Sequence, residues 1–316
     1  MNWPIIQVKF SGRNYPKLLA QIADPPKQLY CRGNLELLNG ECIGVVGTRK
    51  LTPYGKESAQ YITRGLATAG FTIVSGLAMG IDAVAHQTTL DTGGKTIAVL
   101  GGGVSDSKIG PRINLSLARK ILANNGLVIS EYSDKEEVYA TNFAMRNRII
   151  SGLSKGVVIV EADKDSGSLI TAKCALDQNR DVFAVPGNIF SQKSTGSNDL
   201  IKSGAKLVAS ARDIMDEYGY NLNIFDASGG DISTSNNTQK TILAILQGVG
   251  ESSADEIISN LTSTKTSDIL SSLSVLEING LIKRMGNGKY RIRKETSRAA
   301  RCHVKFGKRR IGNSKR

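Results

Sequence analysis

Six short apolar runs punctuate the first two thirds of the chain, at 43–47, 71–75, 96–100, 127–130, 157–161 and 181–185. None alternates polar and apolar positions, so each is predicted to be a strand covered on both faces, as in a parallel sheet. Between them, 55–69, 81–91, 114–124 and 168–178 carry apolar residues at helical spacing. This βαβ rhythm predicts a Rossmann-like, doubly wound parallel sheet of the α/β class. With right-handed crossovers, the loops after the strand ends gather on one edge, where ligands of such sheets bind.

The pattern changes after residue 225. The stretch DASGGDISTSNN (226–237) has almost nothing to bury and reads as a linker. Helical spacing returns at 241–247, 253–261 and 266–279, followed by two short strands around Gly286 and Gly288 in GLIKRMGNGKYRI. Three helices closed by a hairpin predict a C-terminal winged helix-turn-helix domain. The expected organisation is a lead-in over 1–40, the Rossmann-like domain over 41–225, the linker over 226–237, the winged helix over 238–293 and a basic, disordered tail over 294–316.

Charge narrows the partner. The 316 residues include 41 Lys and Arg against 28 Asp and Glu, a net charge of +13. From Arg293 to Arg316 there are ten basic residues and one acid, Glu295, so this end carries +9 and the rest only +4. Any basic surface on the folded part is therefore local, and a polyanionic partner is indicated. Cys31, Cys42, Cys174 and Cys302 have no C-x-x-C spacing, which argues against zinc and suits a reducing cytosol. No signal peptide is evident, and no run approaches the roughly 20 apolar residues that span a bilayer. The expectations are a cytoplasmic location, no membrane and no cofactor, with nucleic acid as partner.

The candidate chemistry falls at strand ends. After the first run, Gly47, Thr48 and Arg49 precede a helix start, where free N–H groups and the helix dipole favour an anion and Arg49 can fork onto a phosphate. A tight turn with a solvated arginine is the competing reading. Gly76 and Gly80 straddle a turn into a helix whose Asp82 suits a structural role at the helix end. His86 reads as a packed residue. Gly101 and Gly102 form a glycine-rich loop, but a G-x-G-x-x-G opening there would place its last glycine at Asp106, so dinucleotide binding is unsupported. Phe143, Arg146, Asn147 and Arg148 combine a stacking ring with phosphate-binding groups, as non-specific single-strand binders do, although a core Phe143 with salt-bridged arginines also fits. Ser166, Gly167 and Ser168 open a helix with hydroxyls, another candidate phosphate loop or simply an N-cap. No arrangement for nucleophilic or paired-carboxylate catalysis emerges.

Taken in order, GTRKLTPYG (47–55), SGLAMGIDAVAH (75–86), FAMRNRIISGLS (143–154), VVIVEADKDSGSLITAKCAL (157–176), VFAVPG (182–187) and GSNDLIKSGA (196–205) resemble the DNA-processing protein A family, also called DprA or Smf. The segment 15–38 resembles the one preceding that family's Rossmann domain. The resemblance implies an extended Rossmann-like fold and a homodimer. It also implies sequence-independent single-stranded DNA binding and loading of RecA recombinase in natural transformation, without catalysis. It carries the DNA pocket to Gly47, Thr48, Arg49, Gly76, Phe143, Arg146, Asn147 and Arg148, with Lys202 as a further candidate. The sequence departs from the family pattern at Gly110, where the pattern has Tyr, and at Ala144, where it has Pro.

Two other functions compete. A nucleotide-hydrolysing enzyme of the same superfamily would need a catalytic Glu in the loop that here reads DSGSLITAKCA, which has none. A sequence-specific regulator would need Arg or Lys on the third C-terminal helix, and that helix has none after Thr266.

Overall fold

All six apolar runs are strands, and in the computed structural model they lie side by side in one sheet. Residues 3–220, 235–261, 264–278, 282–285 and 288–292 are described. The chain divides into two units, 1–221 and 222–316.

In the first unit the predicted strands are β3 (Cys42–Val46), β4 (Thr72–Ser75), β5 (Thr96–Leu100), β6 (Leu127–Ser130), β7 (Gly156–Ile159) and β8 (Asp181–Ala184). Three strands join them: β1 (Ile6–Lys9), β2 (Gln28–Gly33) and β9 (Lys206–Leu207). The sheet order is β1-β2-β6-β5-β4-β3-β7-β8-β9. Pairing is parallel from β6 through to β9, whereas β2 lies antiparallel to both β1 and β6. The segment 1–40, set apart on sequence as a lead-in, thus extends the sheet. Within it Tyr15 Oη donates to Pro26 O (2.7 Å), and Arg180 Nη2, donating to Leu18 O (3.0 Å), fastens it to the rest of the unit.

Helices cover the sheet: α1 (Pro53–Thr68), α2 (Ile81–Asp91), α3 (Leu115–Ala123), α4 (Ala140–Met145), α5 (Asn147–Leu153), α6 (Ser168–Asp177), α7 (Thr195–Lys202) and α8 (Ala211–Glu217). Successive strand residues point to opposite faces. Accordingly Ile43 and Val45 pack with Ile62 and Leu66 of α1, while Cys42 and Val46 join the cluster that holds Ile149 and Ile150 of α5. This two-sided burial is why the strands read as unbroken apolar runs. Pro53 opens α1 and the Thr52 hydroxyl accepts from the Gly55 N–H (3.0 Å), which fixes the helix start beside β3.

The second unit contains α9 (Ser235–Val249), β10 (Glu251–Ser253), α10 (Ala254–Asn260), α11 (Thr266–Ile278), β11 (Ile282–Arg284) and β12 (Lys289–Ile292). Ile242, Leu246, Ile257, Ile269 and Leu273 form its core, and the strands pair antiparallel in the order β10-β12-β11. The three helices match the three predicted; β10 has no counterpart in the sequence reading. Residues 235–237, assigned to the linker, lie in α9. Residues 221–234, residues 286–287 and the tail over 294–316 lie outside the described residues.

Candidate nucleic-acid interface

The parallel part of the sheet grows outward from β3 in two directions, through β4 to β6 on one side and β7 to β9 on the other. Between β3 and β7 the loops leave in opposite senses, the position at which open α/β sheets bind ligands. A cleft of about 560 Å³ opens at this point. Its walls are the loop after β3, the α4–α5 junction and the loop after β7.

The loop after β3 is held by one acid. The Thr48 N–H donates to Glu161 O (2.7 Å), and the Glu161 carboxylate accepts from the Thr52 N–H (2.9 Å) and the Thr52 hydroxyl (2.7 Å). Gly55 is required beside it, because a Cβ there would run into that carboxylate. With the loop pinned, Arg49 and Lys50 project from the rim, both exposed. Among the described residues, neither charged group forms a hydrogen bond or ion pair.

Arg146 forms the floor. It stands where α4 runs into α5, is only 4% exposed, and donates from Nη1 to Val99 O (2.5 Å). Its guanidinium lies against Gly76, where any Cβ would overlap it, so only glycine allows this approach. Asp82 supplies the counter-charge and accepts from the Gly76 (3.1 Å) and Ala78 (3.4 Å) N–H groups. Burial raises the Asp82 carboxyl above its ordinary range, against the opposing pull of Arg146. Burial also brings Arg146 down to about 10, offset by Asp82 and assisted by Arg49. The Arg146 Nε is buried with no hydrogen-bond partner. A guanidinium fixed on the floor of a cleft, below the exposed charges of Arg49 and Lys50, favours an anion there.

The third wall carries Ser166, Gly167 and Ser168 at the start of α6. The two serine hydroxyls lie 2.8 Å apart, and Asn147 Nδ2 donates to Gly167 O (3.2 Å), tying this loop to α5. Lys193, arriving from the loop after β8, completes the rim through a 2.8 Å ion pair with Asp163. Phe143 is half-buried on the opposite wall.

This cleft belongs to a region with known relatives. Residues 7–219 match the family model of DNA recombination-mediator protein A. The chain belongs to this family. Among its relatives, DNA processing protein DprA of Bacillus subtilis is 44% identical over 211 residues, covering 66% of this chain and 70% of that one. Protein Smf of Escherichia coli is 38% identical over 295 residues, covering 92% and 77%. The X-ray structure of DprA from Streptococcus pneumoniae aligns with a TM-score of 0.64 at 42% identity, over 69% of this chain and 75% of that one. DNA processing protein A of Helicobacter pylori, known for a unique single-stranded DNA binding mode, aligns with a TM-score of 0.61 at 32% identity, over 69% and 96%.

Within this recombination-mediator fold, the cleft gathers Gly47, Thr48, Arg49, Phe143, Arg146, Asn147, Ser166, Gly167 and Ser168. Gly76 lies behind Arg146 as its support. Gly101 and Gly102 do not line the cleft; they pack under Phe143 and Val138. Lys202 stands exposed at the end of α7, paired with Asp199 (3.1 Å), outside the cleft. Lys50, Lys193, Asp163 and Asp165 line the cleft and are absent from the sequence-based candidates. Lys50 was findable as the neighbour of Arg49, and Asp163 and Asp165 as neighbours of Ser166; Lys193 depends on the meeting of two loops. His86 is packed, bonded through Nδ1 to the Thr96 hydroxyl (2.7 Å), and burial lowers its pKa to about 3.

Arg148 also lies outside the lining. It forks onto Glu131 (3.0 and 2.7 Å) and donates to Asp24 (3.1 Å), clamping the N-terminal segment to α5 and β6. Arg148→Ala is therefore expected to destabilise the fold by about 2 kcal/mol, the cost of stranding a largely buried carboxylate. Single-strand affinity of the folded variant should change less than twofold. Thermal melts and binding isotherms check this; normal stability with lost binding would return Arg148 to the site.

Proposed function

We propose that this chain is a cytoplasmic, non-enzymatic protein that binds single-stranded DNA without sequence preference in the cleft between β3 and β7. In this reading it acts as a homodimer and loads RecA recombinase onto the strand in transformation or homologous recombination. The observation that carries it is a cleft with the guanidinium of Arg146 on its floor and the exposed cations of Arg49 and Lys50 on its rim. Phosphates would take these donors while a base lies on Phe143, and such pairing of cations with a stacking ring is indifferent to sequence. The single-strand binding of the Helicobacter pylori relative supports the same assignment.

Several details favour binding over turnover. Glu161 spends both carboxylate oxygens on Thr52, Asp82 is held by backbone N–H groups, and His86 is sequestered on Thr96. No described helix is long and apolar enough to cross a membrane. The second unit, with three helices and an antiparallel sheet, supports the winged-helix reading. Because α11 has no Arg or Lys, we assign that unit to protein contacts rather than base readout.

Anisotropy titrations with labelled oligonucleotides of several sequences test the proposal. Single strands should bind more tightly than duplex, with little sequence preference, a steep loss with salt and full recovery of intact oligonucleotide. Equal affinity for duplex, or release of free base, would overturn it.

A further inference from the structure

The two most exposed large apolar residues of the described chain are adjacent: Ile189 at 82% and Phe190 at 90%. They occupy the loop between β8 and α7. Because β8 neighbours β7 in the parallel sheet, this loop leaves the same edge as the cleft, one strand further along. Lys193, three residues after Phe190, already lines the cleft. On the other side, the Tyr54 hydroxyl donates to Pro186 O (2.6 Å), which ties the loop to the first turn of α1 behind Arg49 and Lys50.

The loop is not a loose tip. The Phe190 N–H donates to Asn188 Oδ1 (2.9 Å) and the Ser191 N–H to Asn188 O (3.0 Å). Gly187 and Asn198 exchange two hydrogen bonds of 3.1 Å. Downstream, the Gly196 N–H donates to Ala162 O (2.8 Å) and anchors the start of α7 to the loop after β7. A braced loop that holds a phenyl ring in water, beside a lysine on a cationic cleft, has the chemistry of a base platform. Lys193, paired here with Asp163 (2.8 Å), would exchange that carboxylate for a phosphate while the ring takes the base. With the loop backbone braced, only the ring's own two torsions remain to be ordered when a base stacks on it.

We infer that Phe190 is a second base-stacking platform, which receives the single strand as it leaves the Arg49–Arg146 cleft past Lys193. The inference rests on the cleft being the single-strand site, and adds that the strand's path turns over the β8–α7 loop. Phe143 and Phe190 then hold different nucleotides of one strand, so the contribution of Phe190 depends on length. A strand short enough to fill only the cleft never reaches it.

The test is a length series of oligothymidylates against the full chain, its Phe190→Ala variant and its Phe190→Trp variant. Phe190→Ala should bind the shortest retained oligomer normally and lose about fivefold or more on longer ones, at the low end of the value of one stacked base. Trp3 is the only natural tryptophan, so the wild type serves as the fluorescence blank. The indole introduced by Phe190→Trp should be quenched by long oligomers and not by short ones. If the wild type holds single strands while Phe190→Ala matches it at every length and the introduced indole stays bright, the platform is refuted and the cleft stands. A Phe190→Ala change in sedimentation without a change in DNA affinity would likewise overturn it, in favour of a protein contact. Failure of the wild type to bind single strands would remove the cleft reading and this one together.

Discussion

Arg146→Ala is expected to lower single-strand affinity by roughly a hundredfold or more and to destabilise the fold by about 3–5 kcal/mol. The stability loss follows from removing the buried cation that attracts Asp82, whose carboxylate then keeps only the Gly76 and Ala78 N–H groups. The affinity loss combines a missing charge-assisted donor, worth about 1.5–3 kcal/mol, with a bare carboxylate now facing the phosphates. The two effects separate through pH. Burial raises the folded pKa of Asp82 above its unfolded value near 3.9. Its protonated form is therefore favoured in the fold, and the stability this contributes is lost as pH rises through the folded pKa. Without Arg146 that pKa rises further, so the variant's deficit should shrink on acidification and widen toward neutrality. Melting curves between the carboxylate range and neutral pH check the sign, and a deficit independent of pH would mean that Asp82 is not the group left unpaired.

Arg49→Ala separates binding from folding in the opposite way. Arg49 is exposed and makes no hydrogen bond or ion pair among the described residues, so its loss should change stability by less than about 0.5 kcal/mol. Affinity for single strands should fall by about tenfold to a hundredfold, the value of one bidentate phosphate contact. The slope of log affinity against log salt should flatten by about 0.7, one counterion release fewer. Arg49→Lys should recover the slope and only part of the affinity, because an ammonium keeps the charge and loses the planar fork. A variant that binds normally and melts early would make Arg49 structural.

The parts of the molecule legible in the sequence are those buried on both sides. β3 to β8 announce themselves because helices cover both faces, so every position of β3, from Cys42 to Val46, is apolar or glycine. β1 escapes notice for the converse reason: three of its four residues are exposed, and it gains its place by antiparallel pairing that leaves no apolar run. The cleft is legible where one loop carries it, as at Gly47 to Arg49 and at Ser166 to Ser168. Reading Arg146, Asn147 and Arg148 as one cluster runs against helical geometry. Residues two apart on a helix point about 200° from each other, so when Arg146 turns into the cleft Arg148 must turn away, toward Glu131 and Asp24. Lys193 has no local signal, since it reaches the site only because β8 lies beside β7.

The most direct test of the central claim is a crystal structure of the full chain with a short oligothymidylate. Phosphate oxygens are predicted within hydrogen-bond distance of the Arg49 guanidinium, in the cleft above Arg146, with a base against Phe143. An oligomer seated on any other face, with the β3–β7 cleft empty, would contradict the assignment of that cleft as the single-strand site.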